Sequence, residues 1–165
     1  MTIPKHSKLY GYAQGSYFAD SFSCEIPYTN QTALDVYLEI AKQTPRWVSF
    51  LMEMRNRIVS MFGLKHLGRF QDATFEAGVN DVKKGERIGI FTLVSNEEHE
   101  IVLEDSDKHL DVRVSFLLDV KGDKVTVYAT TVVHVHNLFG KAYMLVVAPI
   151  HKVIVASSLK TLAQA

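Results

Sequence analysis

Alternation of apolar and polar residues dominates the second half of the chain. RIGIFTLV (87–94), HEIVLE (99–104), HLDVRVSFLLDV (109–120), KVTVYATTVVHVH (124–136) and KAYMLVVA (141–148) each read as strands between short turns. An earlier strand is predicted over YFADSFSCEIP (17–27), where Phe18, Phe22, Cys24 and Ile26 share one side. Cys24 there reads as a small buried hydrophobe rather than a nucleophile. Two helices should follow. QTALDVYLEIAKQ (31–43) puts Leu34, Tyr37, Leu38 and Ala41 on one face, with Thr29 or Asn30 as cap. TPRWVSFLMEMRNRIVSMFG (44–63) has Thr44 to cap it, Pro45 at its first position and Gly63 to stop it. Its stripe runs through Trp47, Phe50, Leu51, Met54, Ile58, Met61 and Phe62. Residues 64–85 lack a period and are long enough for a functional lid or rim. A last helix is predicted over 149–163, opened by Pro149 and carrying Ile150, Val153, Ile154, Leu159 and Leu162. The order predicts one α+β domain over 1–165, with 1–16 as a partly flexible N-terminal extension.

Strand register follows from the pattern, because a one-residue slip exchanges the two faces. An even-length loop at Lys121–Lys124 sets Val120 against Val125. Leu110, Val112, Val114, Phe116 and Leu118 then share a face with Val125, Val127, Ala129, Thr131, Val133 and Val135. A loop at 105–108 adds Ile101 and Leu103 to that face, and a loop at 137–140 adds Ala142, Met144 and Val146. A helix or a bound molecule must cover so apolar a surface.

The opposite face collects Glu100, Glu104, His109, Asp111, Arg113, Ser115, Thr130, His134, His136, Lys141 and Tyr143. In this register Arg113 opposes Glu100, Asp111 opposes His134 and His109 opposes His136. The first reading is a solvated outer face, where mixed charges need no role. His109, Asp111, His134 and His136 also offer metal-ligand types, and Asp111 with His134 offers an acid–base pair. A polar subunit interface is the fourth reading. His151, one or two residues into the last helix, either meets a ligand at that helix mouth or points to solvent.

Composition narrows the classes. Lys+Arg and Asp+Glu both number 18, so no global field attracts nucleic acid or an anionic membrane. A membrane-spanning helix, a secretory leader and a disulfide are not expected, which points to a cytoplasmic monomer or homodimer. No phosphate-cradling, nucleophile-elbow or zinc-protease motif is present, and no cofactor or resident metal is expected.

Three stretches carry a resemblance. They are TPRWVSFLMEMRNRIVSMFGLK (44–65), EIVLEDSDKHLDVRVSF (100–116) and NLFGKAYMLVVAPIHKVIV (137–155). The defining positions are Pro45, Trp47, Arg55 and Gly63; Glu100, Asp107, His109, Leu110 and Arg113; and Gly140, Tyr143, Pro149 and His151. From about residue 17 to the end, the chain resembles a bacterial family of domains of unknown function in the START-like, polyketide-cyclase-like superfamily. The resemblance implies a helix-grip fold: a curved antiparallel sheet around a long C-terminal helix, with two helices after the first strand. It also implies a cavity between sheet and helix that holds apolar molecules. It brings no catalytic residues.

The expected function is therefore binding of a small apolar or amphipathic molecule. Val112, Val114, Phe116, Val133, Met144, Val146 and Ile154 are its expected walls, with Trp47, Leu51 and Met54 closing one side. The alternatives are an acid–base enzyme of cyclase, isomerase or hydrolase type using His109, Asp111 and His134, or a non-catalytic interaction subunit.

Overall fold

A computed structural model describes residues 2–43 and 83–164. The expected helix over 44–63, with Trp47, Leu51 and Met54, and most of 64–85 lie outside the described residues. The described elements are α1 (Leu9–Tyr12), β1 (Phe18–Pro27), α2 (Ala33–Lys42), β2 (Arg87–Ile88), β3 (Phe91–Asn96), β4 (Glu100–Ser106), β5 (Leu110–Lys121), β6 (Lys124–Val135) and α3 (Leu138–Leu162). The six strands form one curved antiparallel sheet in the order β1-β6-β5-β4-β3-β2. The architecture is α+β.

The β5–β6 hairpin has the expected register. Val120 opposes Val125 and Asp111 opposes His134, across a two-residue turn in which Gly122 adopts φ +67°. That backbone region is open to glycine at little cost. The β4–β5 hairpin differs from expectation. Arg113 opposes Glu104, not Glu100, and binds its carboxylate at 2.5 Å. The chain reverses two residues later than predicted, because Asp107 Oδ1 accepts hydrogen bonds from the backbone N–H groups of His109 and Leu110. Both registers put Ile101 and Leu103 on the same face, so the apolar pattern could not separate them.

The largest correction concerns KAYMLVVA. It is not a strand, and 137–140 is not a hairpin loop. Asn137 is instead the N-cap of α3, and its side-chain Oδ1 accepts from the backbone N–H of Gly140 at 3.0 Å. Lys141 and Tyr143 therefore belong to the helix rather than to the polar sheet face. α3 starts well before Pro149, which lies inside it. Proline removes the donor to the carbonyl four residues back. Pro149 and Leu145 are both exposed, so water can reach that carbonyl. By length and composition α3 is apolar enough to cross a membrane, contrary to the sequence expectation. Leu138, Leu145, Val146 and Val153 are exposed along it, while Met144, Leu159 and Leu162 pack inward.

The main core lies between the apolar sheet face and the helices α2 and α3. α2 presents Leu34, Tyr37, Leu38 and Ala41 to it, as its spacing predicts. Its cap is Thr32 rather than Thr29 or Asn30. Thr32 and Asp35 form a reciprocal capping box.

The outer face is only partly solvated, because residues 2–16 lie across it. Leu9 packs on Val102 and Val132, flanked by Ile3, Tyr12 and Ala13. Beneath this segment Glu100 is 5% exposed, and it accepts from the Ser7 hydroxyl at 2.7 Å, the Ser115 hydroxyl at 2.6 Å and the Lys8 backbone N–H. A buried carboxylate satisfied in this way ties the N-terminal segment to the sheet.

Candidate functional site

The outer-face histidines sit near one another but have separate commitments. His136 Nε2 meets Asp111 Oδ2 at 2.9 Å, and Asp111 Oδ1 accepts from the Ser106 hydroxyl. The Asp111 partner is thus His136, diagonal to it, rather than the directly opposed His134. His134 Nε2 donates to the Tyr12 backbone carbonyl at 2.9 Å, and its ring stands edge-on to the Tyr12 ring at 4.7 Å. The Tyr12 phenol is also raised above its ordinary pKa, chiefly by burial. The Arg113 guanidinium lies over the Tyr12 ring, 4.0 Å from its centroid. His109 Nδ1 accepts from the Asn137 amide at 2.9 Å and packs against Phe139, so it braces the start of α3. Among the described residues, no three His, Cys, Asp or Glu side chains converge where a metal could sit. Asp111, His134 and His136 line one open depression on the outer face with Tyr12, and His109 stands apart against Asn137.

The more enclosed space lies on the other side of the sheet. A cavity of about 170 Å³ opens between β5, β6, α2 and α3. Val114, Phe116 and Ile154 line it, as expected from the sequence. Val112, Val133 and Met144 do not. They form a neighbouring cluster with Leu110 near the start of α3. Val146 is 65% exposed on the helix and cannot be a wall. The remaining lining includes Tyr37 and Ile40 from α2, Ile90 and Phe91 at the far strands, and Ala129 from β6. The Tyr37 hydroxyl donates to the Ile88 carbonyl at 3.3 Å, and burial pushes its pKa far up. Tyr37 therefore acts as a neutral wall.

Against this apolar lining stand three polar side chains, Thr131, His151 and Ser158. Behind His151 lies Asp20 of β1, with Oδ1 at 3.6 Å from His151 Nε2. Asp20 pairs across the sheet with Thr131, and its side chain is 11% exposed. Both of its carboxylate oxygens and His151 Nε2 are sealed from solvent, and among the described residues none has a hydrogen-bond partner. Phe18 covers the imidazole edge-on at 6.0 Å. His151 lies midway along α3, far from the first turn, and so is not at the helix mouth where the shorter predicted helix placed it.

Sequence reasoning left His151 open and missed Asp20. The signal was there in β1, where Phe18, Asp20, Phe22, Cys24 and Ile26 occupy one side. A carboxylate in the middle of a row that faces the core is costly unless it has a task or a partner.

Residues 12–158 match the family described as Protein of unknown function (DUF2867), and the chain belongs to that family. No curated protein and no solved structure matches the chain.

Proposed function

We propose that this family member binds a compact, largely apolar small molecule in the cavity between sheet and α3, with its polar group turned toward His151 and Thr131. The carrying observation is the contrast inside the cavity. An otherwise apolar lining carries Thr131, His151 and Ser158, and behind His151 stands the buried carboxylate of Asp20, which among the described residues has no hydrogen-bond partner. Ligand sites combine apolar walls with a few orienting polar groups in this way. Buried polar groups left unpaired are rare in folded proteins and invite a functional explanation.

Size narrows the ligand class. The volume of about 170 Å³ is close to the roughly 150 Å³ cavity known to take up benzene. It lies below the 300–1,000 Å³ or so of drug-sized sites. A single ring carrying one carbonyl or hydroxyl fits; a sterol does not. In this reading the sheet and α3 form a helix grip of the START-like kind, whose cavities hold apolar molecules. The exposed residues of α3 have no part in it.

Native mass spectrometry of gently purified protein, followed by denaturing extraction, tests the reading. A reproducible added mass released as a one-ring organic molecule is expected. Displacement of that mass by Ala129→Leu places it in the cavity. Retention of the same mass by the filled variant would contradict the assignment.

A further inference from the structure

We propose that Asp20 and His151 are an acid–base pair that moves a proton on a carbonyl compound bound in the cavity. The inference rests on the binding reading above. Its first support is order in space. His151 forms part of the cavity lining, and Asp20 stands behind it on β1, so the sequence of groups is carboxylate, imidazole, cavity. A base oriented by a second group in this way is the common arrangement for general acid–base work.

The second support is the unpaired state of the groups. Asp20 Oδ1 and His151 Nε2 are 3.6 Å apart, just beyond hydrogen-bonding range, and both are sealed from water. Catalytic contacts are often long in the empty site and tighten when substrate binds. The third is the Thr131 hydroxyl on the same wall, a donor for a developing oxyanion.

The chemistry needs no other reactant. In a β,γ-unsaturated ketone, the neutral imidazole takes a proton from the carbon between carbonyl and alkene. The C–H electron pair becomes the new carbon–carbon double bond, and the carbonyl π pair moves onto oxygen, where Thr131 donates. The imidazolium is held beside the Asp20 carboxylate. It then returns the proton to the γ-carbon, and the double bond ends in conjugation with the restored carbonyl. The product is an isomer of the substrate, so atoms and electrons balance. His151 is the catalytic residue and Asp20 a positioning residue.

The test uses 3-cyclohexen-1-one as substrate and 2-cyclohexen-1-one as the binding probe. Isomerisation is followed by the absorbance of the conjugated enone, and probe binding by calorimetry. Wild-type protein should bind the probe and convert the substrate faster than buffer. His151→Gln should lower kcat by about 10²–10⁴-fold while still binding the probe. Asp20→Asn should lower kcat with little change in KM, which a merely structural role would not produce. It also serves as the second variant should His151→Gln fail to fold. Binding without rate enhancement, or a rate unchanged in both variants, overturns the proton transfer and leaves the binding reading standing. Failure of wild-type protein to bind the probe overturns both.

Discussion

Asp20 and His151, one near each end of the chain, meet at 3.6 Å beneath the sheet, and among the described residues neither the Asp20 carboxylate nor His151 Nε2 has a hydrogen-bond partner. Such an arrangement costs stability, because a sealed carboxylate loses its water without full compensation. Asp20→Asn should therefore leave stability unchanged or raise it by about 1 kcal/mol or more. Urea denaturation measures this. A loss above about 1 kcal/mol would show that the carboxylate is compensated and that the site carries no strain.

Glu100 is the opposite case, a buried carboxylate with all its partners. Glu100→Ala strands the hydroxyls of Ser7 and Ser115 and the Lys8 N–H. A loss of about 2–3 kcal/mol is expected. Protection of the Lys8 amide from hydrogen exchange should fall with it. An unchanged melting temperature would mean that the N-terminal segment is held by Leu9 alone.

Gly140 lets α3 leave the sheet at close quarters. A Cβ there would lie 2.5 Å from the His109 carbonyl oxygen and 2.8 Å from Val135 Cγ1. Alanine gains at most about 1 kcal/mol in helix propensity. The backbone carbonyl cannot swing aside as a side chain would, so overpacking wins and Gly140→Ala should cost about 1–3 kcal/mol. A stabilised variant would show that the helix start shifts freely.

Burial pushes the Cys24 thiol up from 9.0 to about 11. Below pH 9 the thiol is protonated in both folded and unfolded chains, and its contribution is fully present. Between about 9 and 11 the unfolded chain ionises first and binds fewer protons, so stability falls as pH rises. The difference between wild type and Cys24→Ala should show that slope in this window alone. Thiol reagents at pH 8 should react slowly with the native protein. Rapid modification would contradict the partial burial of Cys24 against the core.

Much of the sheet was legible because period-two patterning survives in it. The β5–β6 register follows from keeping Val112, Val114 and Phe116 on one face with Val133, Thr131 and Ala129. The start of α3 was not legible. KAYMLVVA is apolar on nearly every side, its paired valines favour a strand, and Pro149 imitates a helix start. What decides the matter is the local Asn137 cap together with the non-local fit of Gly140 against His109. Met144 and Val146 were placed on the wrong kind of element for that reason, whereas Val112 and Val133 sit on the strands as read but pack in the neighbouring cluster. Asp20 was legible in principle, as the polar break in an apolar row. Its partner could not be read, because no local pattern links β1 to the middle of α3.

The most direct test of the account is a titration of cyclohexanone into methyl-labelled protein, followed by NMR, in wild type and in Ala129→Leu. Saturable shifts are predicted at the methyls of Val114, Ile154, Val155 and Leu159, which line the cavity, and their loss is predicted in the filled variant. Shifts confined to exposed Leu145, Val146 and Val153, or identical titrations of both proteins, would contradict it.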